Sequence, residues 1–330
     1  MSDSPRIVVA GAGAIGCYVG ARLLAAGHDV TFLGRARLGA EIEQHGLTVS
    51  DFHGPSSHIE RPAFKTDPSC LAGADIVLVA VKSAATAAIA ADIARHAPTA
   101  TVISLQNGIS NPETLRDALP QADVRAAIVP FNVVQTGPGA FHQSTSGDIL
   151  LEDPVSTLAK TLSVPGLAVH ATKDILPAQW GKLRVNLNNA LNALSGLAQL
   201  EQLKNRAWRV LLAAQMRETL NVLKAAGITP ARFTAAPPTL VPHILRLPTL
   251  LFRRIAKAML TIDPTARSSM QDDLTRNRLT EIDALQGEVQ RLAGEHGIET
   301  PTIDRVVRAI RAAEAANAGP PGLDPAALRG

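Results

Sequence analysis

The sequence has little cysteine, few aromatic residues and no long apolar run. Its two cysteines, Cys17 and Cys70, cannot build a disulfide framework, which favours a reducing compartment. Aromatic residues make up 3% of the chain and no Lys/Arg tract is present, which argues against nucleic-acid binding. No apolar run reaches the roughly 18 residues of a membrane span, and no leader-like segment precedes Arg6. We therefore expect a cytoplasmic protein that binds neither membranes nor nucleic acids, and we predict no metal site.

Apolar segments alternate in strand-like and helix-like patterns over the first half of the chain. Hydrophobic residues make up 46% of the 330 residues, enough for two globular domains. Apolar runs predict strands at 6–10, 28–33, 75–81, 101–105 and 124–130, with helical periodicity at 14–26 and 86–96. This alternation predicts an α/β fold, with a Rossmann-type doubly wound parallel sheet in a domain of residues 1–172. Residues 139–145 and 148–151 are expected to form a closing antiparallel pair.

The pattern changes near residue 173, where strand-like runs disappear. Helical stretches at 180–200, 208–226, 280–295 and 301–315 predict an all-α substrate domain of residues 173–330. The tail at 317–330 is rich in Ala, Gly and Pro and is expected to be flexible. The segment 237–264 has an apolar face and, opposite it, a basic face. The apolar face consists of Ile244, Leu247, Leu251, Ile255 and Met259. The basic face consists of Arg246, Arg253, Arg254 and Lys257. A lid or a contact in a homodimer is favoured there over a membrane-surface helix.

A glycine-rich turn follows the first predicted strand. Its G-x-G-x-x-G pattern opens a predicted helix, which is the context of a dinucleotide-binding loop. The first glycine makes the tight turn, the second lets a pyrophosphate approach the backbone, and the third allows close packing of helix and strand. The helix N-terminus adds unpaired N–H groups for the phosphates. The predicted cofactor-binding residues are Gly11, Ala12, Gly13, Ala14, Ile15 and Gly16.

The end of the second predicted strand indicates which dinucleotide is bound. An NAD site has an acidic residue there, whereas this chain has Arg35 and Arg37. Arg37 is equally consistent with an ordinary solvated surface residue. A guanidinium group suits the 2′-phosphate of NADP, and the net charge of +3 suits a phosphorylated small molecule. We therefore predict NADP(H). Lys82 and Asn107 follow two further strands and are candidates because ligands bind at the carboxyl ends of the strands.

Polar residues interrupt the apolar pattern of the helical domain in two places. Lys182, Asn186 and Asn189 would lie within about 60° on one face of a straight helix, where polar groups are costly unless partnered or functional. Ser269 with Asp272, and Thr280 with Asp283, resemble N-terminal capping boxes. On one straight helix Ser269 and Glu281 would be ~18 Å apart. We therefore expect a break near Asn277, which tolerates a left-handed conformation.

Together these motifs resemble the ketopantoate reductase (2-dehydropantoate 2-reductase) family. The resemblance rests on the glycine loop, V-K at residues 81–82, L-Q-N-G at 105–108, W-x-K-L-x-x-N at 180–186 and S-S-M-x-x-D…T-E-I-D-x-L-x-G at 268–287. It implies an NADPH-dependent reduction in a cleft between a Rossmann domain and a helical domain. It also implies that Lys182 is the proton donor, with Glu281 beside the lysine and the cofactor. Asn107 would contact cofactor and substrate, and Asn186 and Ser269 would hold the substrate.

Three departures from the family pattern affect the choice of substrate. A helix asparagine of the family falls on Ala190, where Asn189 could serve instead, and an asparagine before the substrate serine falls on Ala266. The segment 237–264 is longer than compact family members need. We expect reduction of a 2-keto acid, with 2-dehydropantoate to pantoate as the named reaction. The alternatives are a reductase of other branched or aromatic 2-keto acids and, in a different class, a non-catalytic NADP-sensing protein.

Overall fold

The chain folds into two compact units, Met1–Ile175 and Leu176–Gly330. The computed structural model describes residues 4–52, 54, 56–256, 260 and 266–329. Lys257 and Met259, which the sequence placed on the two faces of the segment 237–264, lie outside the described residues. The predicted class, a Rossmann-like α/β domain followed by a helical domain, is confirmed.

Unit 1 contains two sheets. Its strands are β1 (Arg6–Ala10), β2 (Asp29–Leu33), β3 (Leu47–Ser50), β4 (Ser57–Ile59), β5 (Ala63–Lys65), β6 (Ile76–Val79), β7 (Thr101–Ser104), β8 (Asp123–Ile128), β9 (Val133–Gly137), β10 (Ala140–Gln143), β11 (Ile149–Glu152) and β12 (Val169–Thr172). Its helices are α1 (Ala14–Ala25), α2 (Ala36–His45), α3 (Thr86–His96), α4 (Ser110–Ala118) and α5 (Thr157–Leu162), with short 3-10 helices at Pro68–Leu71 and Ser83–Ala85.

The main sheet is buried on both faces. Its strand order is β12-β11-β8-β7-β6-β1-β2-β5, and all neighbours are parallel except β8 and β11. Alternate residues of β1 enter different cores: Ile7 and Val9 pack in one apolar cluster, and Val8 and Ala10 pack in another. A continuous apolar run therefore becomes a central strand with a core on each side, as in doubly wound folds.

The expected closing pair of residues 139–145 with 148–151 is wrong. β10 pairs antiparallel with the preceding strand β9 and parallel with β3, whereas β11 joins the main sheet beside β8. The reason is the Pro138-Gly139 turn, which folds β10 back onto β9 as a hairpin, with Gly139 at φ 62°. The result is a second sheet, ordered β4-β3-β10-β9, that the sequence patterns did not indicate.

The described part of unit 2 is helical. Its helices are α6 (Leu176–Asn186), α7 (Asn188–Ser195), α8 (Gln199–Lys204), α9 (Arg206–Ala225), α10 (Val241–Arg246), α11 (Thr249–Ile255), α12 (Ser269–Thr275), α13 (Glu288–His296) and α14 (Pro301–Ala316). A π-helix at Asp283–Gly287 precedes α13, and a 3-10 helix at Pro325–Leu328 ends the chain. α9 is the central element and packs against α8, α10, α13 and α14. No helix in the described ranges combines the length and apolarity needed to cross a bilayer.

The segment 237–264 is not one amphipathic helix. Pro248 separates α10 from α11, because proline disfavours helical conformation in the residue before it. The buried apolar residues include Leu245 and Phe252, whereas Leu251 and Ile255 of the predicted apolar face are exposed. The buried Arg209 guanidinium of α9 fixes this arrangement. It donates to the Leu245 carbonyl at 3.1 Å and stacks on the Phe252 ring at 4.1 Å.

The C-terminal segment after α14 packs back on unit 2. Leu323 N–H donates to the Leu194 carbonyl at 2.8 Å, and Leu328 is buried. Arg305 of α14 donates through Nε to the Leu328 carbonyl at 3.0 Å. The flexible tail was expected from amino-acid composition alone, and composition does not indicate long-range contacts of this kind.

Candidate functional site

The glycine loop joins β1 to α1 at the carboxyl edge of the main sheet. Gly11 has φ 108°, and a Cβ there would lie 2.5 Å from Val81 N, so only glycine fits. A Cβ at Gly16 would lie 2.3 Å from the Gly11 carbonyl oxygen, because helix and strand are packed closely. Both glycines are therefore required by the fold, in the roles that a dinucleotide-binding loop assigns to them.

Gly13 differs from the other two glycines. It precedes the first residue of α1, offers no side-chain cap, and a Cβ at this position would meet nothing within 4 Å. The N-terminal N–H groups of a 12-residue helix thus face open space rather than a capping side chain. A pyrophosphate fits this arrangement, because it would accept hydrogen bonds from those groups and benefit from the helix dipole.

Arg35 and Arg37 both follow β2, but their environments differ. The glycine loop is tied to this strand end, since Ala12 N–H donates to the Leu33 carbonyl at 2.9 Å. Arg37 is paired with Glu41 at 2.7 Å. Arg35 is exposed and has no acidic partner among the described residues. Of the two guanidinium groups, Arg35 is therefore the one whose charge is uncompensated beside the glycine loop.

Lys82 and Asn107 follow β6 and β7, the strands next to β1 on its other side. A buried polar network that the sequence analysis did not identify connects the two strand ends. Gln106 donates through Nε2 to the Val81 carbonyl at 3.0 Å and to Thr86 Oγ at 2.7 Å. Thr86 in turn donates to Asn111 Oδ1, and Asn111 Nδ2 donates to the Asn107 carbonyl at 2.6 Å. The network fixes the backbone of both candidate residues.

Lys182 lies on α6 in unit 2 and is half-buried. Burial lowers the pKa of its ammonium from the usual 10.5 to about 8, and the Glu281 carboxylate acts in the opposite direction. In the structure the Glu281 carboxylate is thus close enough to Lys182 to influence its pKa. Arg184 points away from this face, two residues further along the same helix. It is buried, and burial lowers its pKa to about 10.

The face that carries Lys182, Asn186 and Asn189 spans two consecutive helices. α6 ends at Asn186 and α7 begins at Asn188, and Leu187 between them keeps helical dihedrals, φ −55° and ψ −24°. Asn186 and Asn189 are half-buried. A neighbouring asparagine has a structural role instead: Asn188 exchanges side-chain hydrogen bonds with Gln202 at 3.2 and 3.0 Å.

The predicted cap at Ser269 is displaced by one residue. Ser268 is the N-cap of α12, because its Oγ accepts from Gln271 N–H at 3.2 Å and donates to the Asn189 carbonyl at 3.0 Å. Asn192 holds this serine in place by accepting from Ser268 N–H at 2.9 Å. Ser269 is therefore exposed at the first position of the helix, with a hydroxyl that capping does not use. Adjacent serines compete for one cap, and sequence spacing does not decide between them.

Glu281 lies between a helix break and a π-helix. The break expected near Asn277 is confirmed: the residue has φ 51°, and Arg278 N–H returns to the Asp273 carbonyl at 2.8 Å. The second expected capping box is wrong, because Thr280 N–H donates to Glu314 at 2.7 Å and Asp283 pairs with Arg311 at 2.8 Å. The turn around Asn277 and Thr280 thus sets where the Glu281 segment begins.

A glycine loop on a doubly wound sheet, followed by a helical unit with a half-buried lysine whose pKa a carboxylate raises, is typical of a Rossmann-fold oxidoreductase. Residues 7–155 match the family model described as "Ketopantoate reductase PanE/ApbA", and residues 174–314 match "Ketopantoate reductase PanE/ApbA C terminal". The chain belongs to the ketopantoate reductase family, as its motifs indicated.

Similar proteins cover nearly the whole chain. The 2-dehydropantoate 2-reductase of Halobacterium salinarum is 27% identical over 318 residues, which span 94% of this chain and 99% of that protein. A PanE/ApbA family ketopantoate reductase from Ralstonia eutropha has a crystal structure with a TM-score of 0.80 and 30% identity, covering 94% and 99% of the two chains. A D-mandelate dehydrogenase in complex with NADH and anilino(oxo)acetate shares the fold, with a TM-score of 0.79, 23% identity and the same coverage.

Proposed function

We propose that this protein reduces a 2-keto acid to a 2-hydroxy acid with NADPH, and that 2-dehydropantoate is its substrate. The observation that carries the proposal is Lys182, a half-buried lysine whose pKa burial lowers to about 8, beside Glu281. A general acid works best when its pKa is near the pH at which it acts. A structural or sensing protein has no use for such a group, so the pair favours catalysis over a non-catalytic NADP-sensing role.

The chain's own residues would bind the cofactor in unit 1. Gly11, Gly13 and Gly16 shape the loop at the N-terminus of α1, whose N–H groups suit the pyrophosphate. Arg35 would pair with the 2′-phosphate, which NADH lacks, and this pairing favours NADPH. We assign Lys82 and Asn107 to cofactor binding, with Asn107 also contacting the substrate. A bound reduced nicotinamide supplies the hydride that the keto carbon accepts.

Residues of unit 2 would bind the substrate and move the proton. Negative charge develops on the keto oxygen during reduction, and the Lys182 ammonium stabilises that charge and donates a proton from Nζ. The neutral amine that remains takes a proton from solvent before the next turnover. Glu281 orients the ammonium and favours its charged form. Asn186, Asn189 and Ser269 offer amides and a hydroxyl for the substrate's carboxylate and hydroxyl groups.

A second candidate substrate class is the aromatic or branched 2-keto acids. Two positions that carry asparagine in the family pattern are Ala190, which is fully buried, and Ala266. Loss of two amides removes hydrogen-bonding groups that a hydroxylated substrate would use, and such losses shift specificity strongly. D-mandelate dehydrogenase, a structural neighbour, shows that this fold accommodates an aromatic oxo acid analogue.

A spectrophotometric comparison of 2-keto acids tests the proposal. Oxidation of NADPH and of NADH is followed with 2-dehydropantoate, an aliphatic branched 2-keto acid and phenylglyoxylate. We expect the highest kcat/KM with 2-dehydropantoate and NADPH. A preference for phenylglyoxylate would select the second candidate. Absence of turnover with every 2-keto acid, while NADPH still binds, would refute the proposed activity and favour the sensing role.

A further inference from the structure

A distant side chain contacts Leu187, the residue at the junction of α6, which carries Lys182, and α7. α6 and α7 are separated at Leu187, between Lys182 and Asn186 on one side and Asn189 on the other. Gln286 is fully buried and donates through Nε2 to the Leu187 carbonyl at 3.0 Å, across 99 residues of sequence. A side-chain amide thus supplies a hydrogen bond to the backbone carbonyl at the junction of α6 and α7.

Gln286 belongs to the π-helix that begins two residues after Glu281. The π-helix spans Asp283–Gly287, and α13 continues from it. A π-turn adds one residue to a helical turn, so it rotates the preceding residues relative to the helix that follows. Such turns are rare and occur frequently at functional sites. The direction in which Glu281 leaves the helix therefore depends on the register of this π-turn.

The amide orientation of Gln286 is fixed by its partners. A carbonyl oxygen can only accept, so Nε2 must face Leu187. The same nitrogen donates to Gln215 Oε1 of α9 at 3.1 Å. Gln286 Oε1 and Gln215 Nε2 have no hydrogen-bond partner in the described part of the protein. A buried amide that leaves part of its hydrogen-bonding capacity unused requires an explanation beyond packing, because an apolar side chain would fill the space without that cost.

We propose that Gln286 is a positioning residue, whose hydrogen bonds to Leu187 and Gln215 hold the Glu281 segment in register with the Lys182 helix. One nitrogen joins three elements: the π-helix, the α6–α7 junction and α9. Loss of its bond to Leu187 frees the π-turn to relax and Glu281 to move away from the lysine. The effect of Gln286 on catalysis rests on the proposed function. Its effect on the position of Glu281 relative to Lys182 does not depend on any activity.

The pKa of Lys182 depends on the charges around it. It is therefore a readout of the Glu281 position that a purely structural role of Gln286 in packing would not change. Glu281 is the charged side chain that raises the pKa of Lys182. The buried charged residues in the described part of unit 2 are Arg184, Arg209, Asp273 and Glu288, and of these Arg184 shares α6 with Lys182. A movement of Glu281 away from the ammonium leaves the burial effect unopposed, so the pKa of Lys182 falls below about 8.

The experiment measures the pKa of Lys182 in the full-length Gln286→Met variant, which keeps side-chain length but lacks the amide. Competitive labelling of amines with acetic anhydride over a pH series, followed by peptide mass spectrometry, reports each lysine separately. We expect the pKa of Lys182 to fall while those of exposed lysines such as Lys204 stay constant. We also expect kcat to fall by about 10- to 100-fold, the cost of a small misplacement, with the KM for NADPH unchanged.

Two further variants serve as a control and as an independent test of the same hydrogen bonds. Gln143→Met removes a buried amide of unit 1 that accepts from Tyr18 at 2.6 Å, and it should leave the Lys182 pKa unchanged. Gln215→Met removes only the second bond of Gln286, and should lower the pKa of Lys182 less than Gln286→Met does. It replaces Gln286→Met if that variant does not fold. An unchanged or raised Lys182 pKa in the folded variants overturns the proposal, whether or not the parent protein reduces a 2-keto acid.

Discussion

Replacing Glu281 with glutamine removes a charge that raises the pKa of Lys182 and keeps the shape of the side chain. With a pKa of about 8, about nine-tenths of Lys182 is protonated at pH 7. Without the opposing effect of that charge, burial lowers the pKa of Lys182 further, below about 8. The protonated fraction of Lys182 therefore falls below about nine-tenths at pH 7 and below about one half at pH 8.

Because reduction requires the charged lysine, this change predicts a pH profile rather than a uniform loss. The kcat/KM for the 2-keto acid should decline with rising pH near 8 in the parent and at a lower pH in Glu281→Gln. The ratio of parent to variant should therefore grow from pH 6 to pH 8. Glu299→Gln, an exposed glutamate of the same unit, serves as the matched control and should reproduce the parent profile. A variant profile with the same midpoint as the parent would refute the electrostatic role of Glu281.

Two further substitutions test the other parts of the site. Arg35→Ala should weaken NADPH binding by ~1.5–3 kcal/mol, the range for a charge-assisted hydrogen bond, and leave NADH binding nearly unchanged. In binding titrations, Arg37→Ala should change little, since that residue pairs with Glu41, and equal effects of both substitutions would contradict the assignment. Ser268→Ala should lower the free energy of unfolding by ~1 kcal/mol through loss of the α12 cap. Ser269→Ala should instead raise the KM for the 2-keto acid at unchanged stability, and urea unfolding combined with steady-state kinetics separates the two roles.

Local sequence patterns predicted the strands and helices that are determined by residues close together in the sequence. β1 matches its apolar run, and α3 occupies the residues that its periodicity indicated. The glycine loop was also identifiable, because steric limits at Gly11 and Gly16 leave no other residue at those positions. The second sheet was missed because its pairing is non-local: β3 is joined to β10, whose sequence lies about 90 residues further on.

In the candidate site, too, sequence motifs identified some residues, and long-range contacts that the sequence does not reveal determine the rest. The sequence motifs indicate Lys182 and Glu281, and in the structure the Glu281 charge raises the pKa of Lys182. The hydrogen bond from Gln286 to the Leu187 carbonyl was not predicted, because the two residues are 99 positions apart in the sequence. The network of Thr86 with Gln106 was likewise missed, since a buried threonine at a helix start has no distinguishing sequence pattern. Residues that position others through long-range hydrogen bonds are recognised only in the fold.

The most direct test of the account is the rate of NADPH oxidation by Lys182→Ala with 2-dehydropantoate, measured beside NADPH binding by the same variant. We expect turnover to fall by ~10²–10⁴, the usual contribution of a positioned general acid, while the cofactor still binds. Lys204→Ala, an exposed lysine paired with Glu201, should retain the parent rate. Near-parental turnover in Lys182→Ala, with cofactor binding intact, would contradict the assignment of Lys182 as the proton donor.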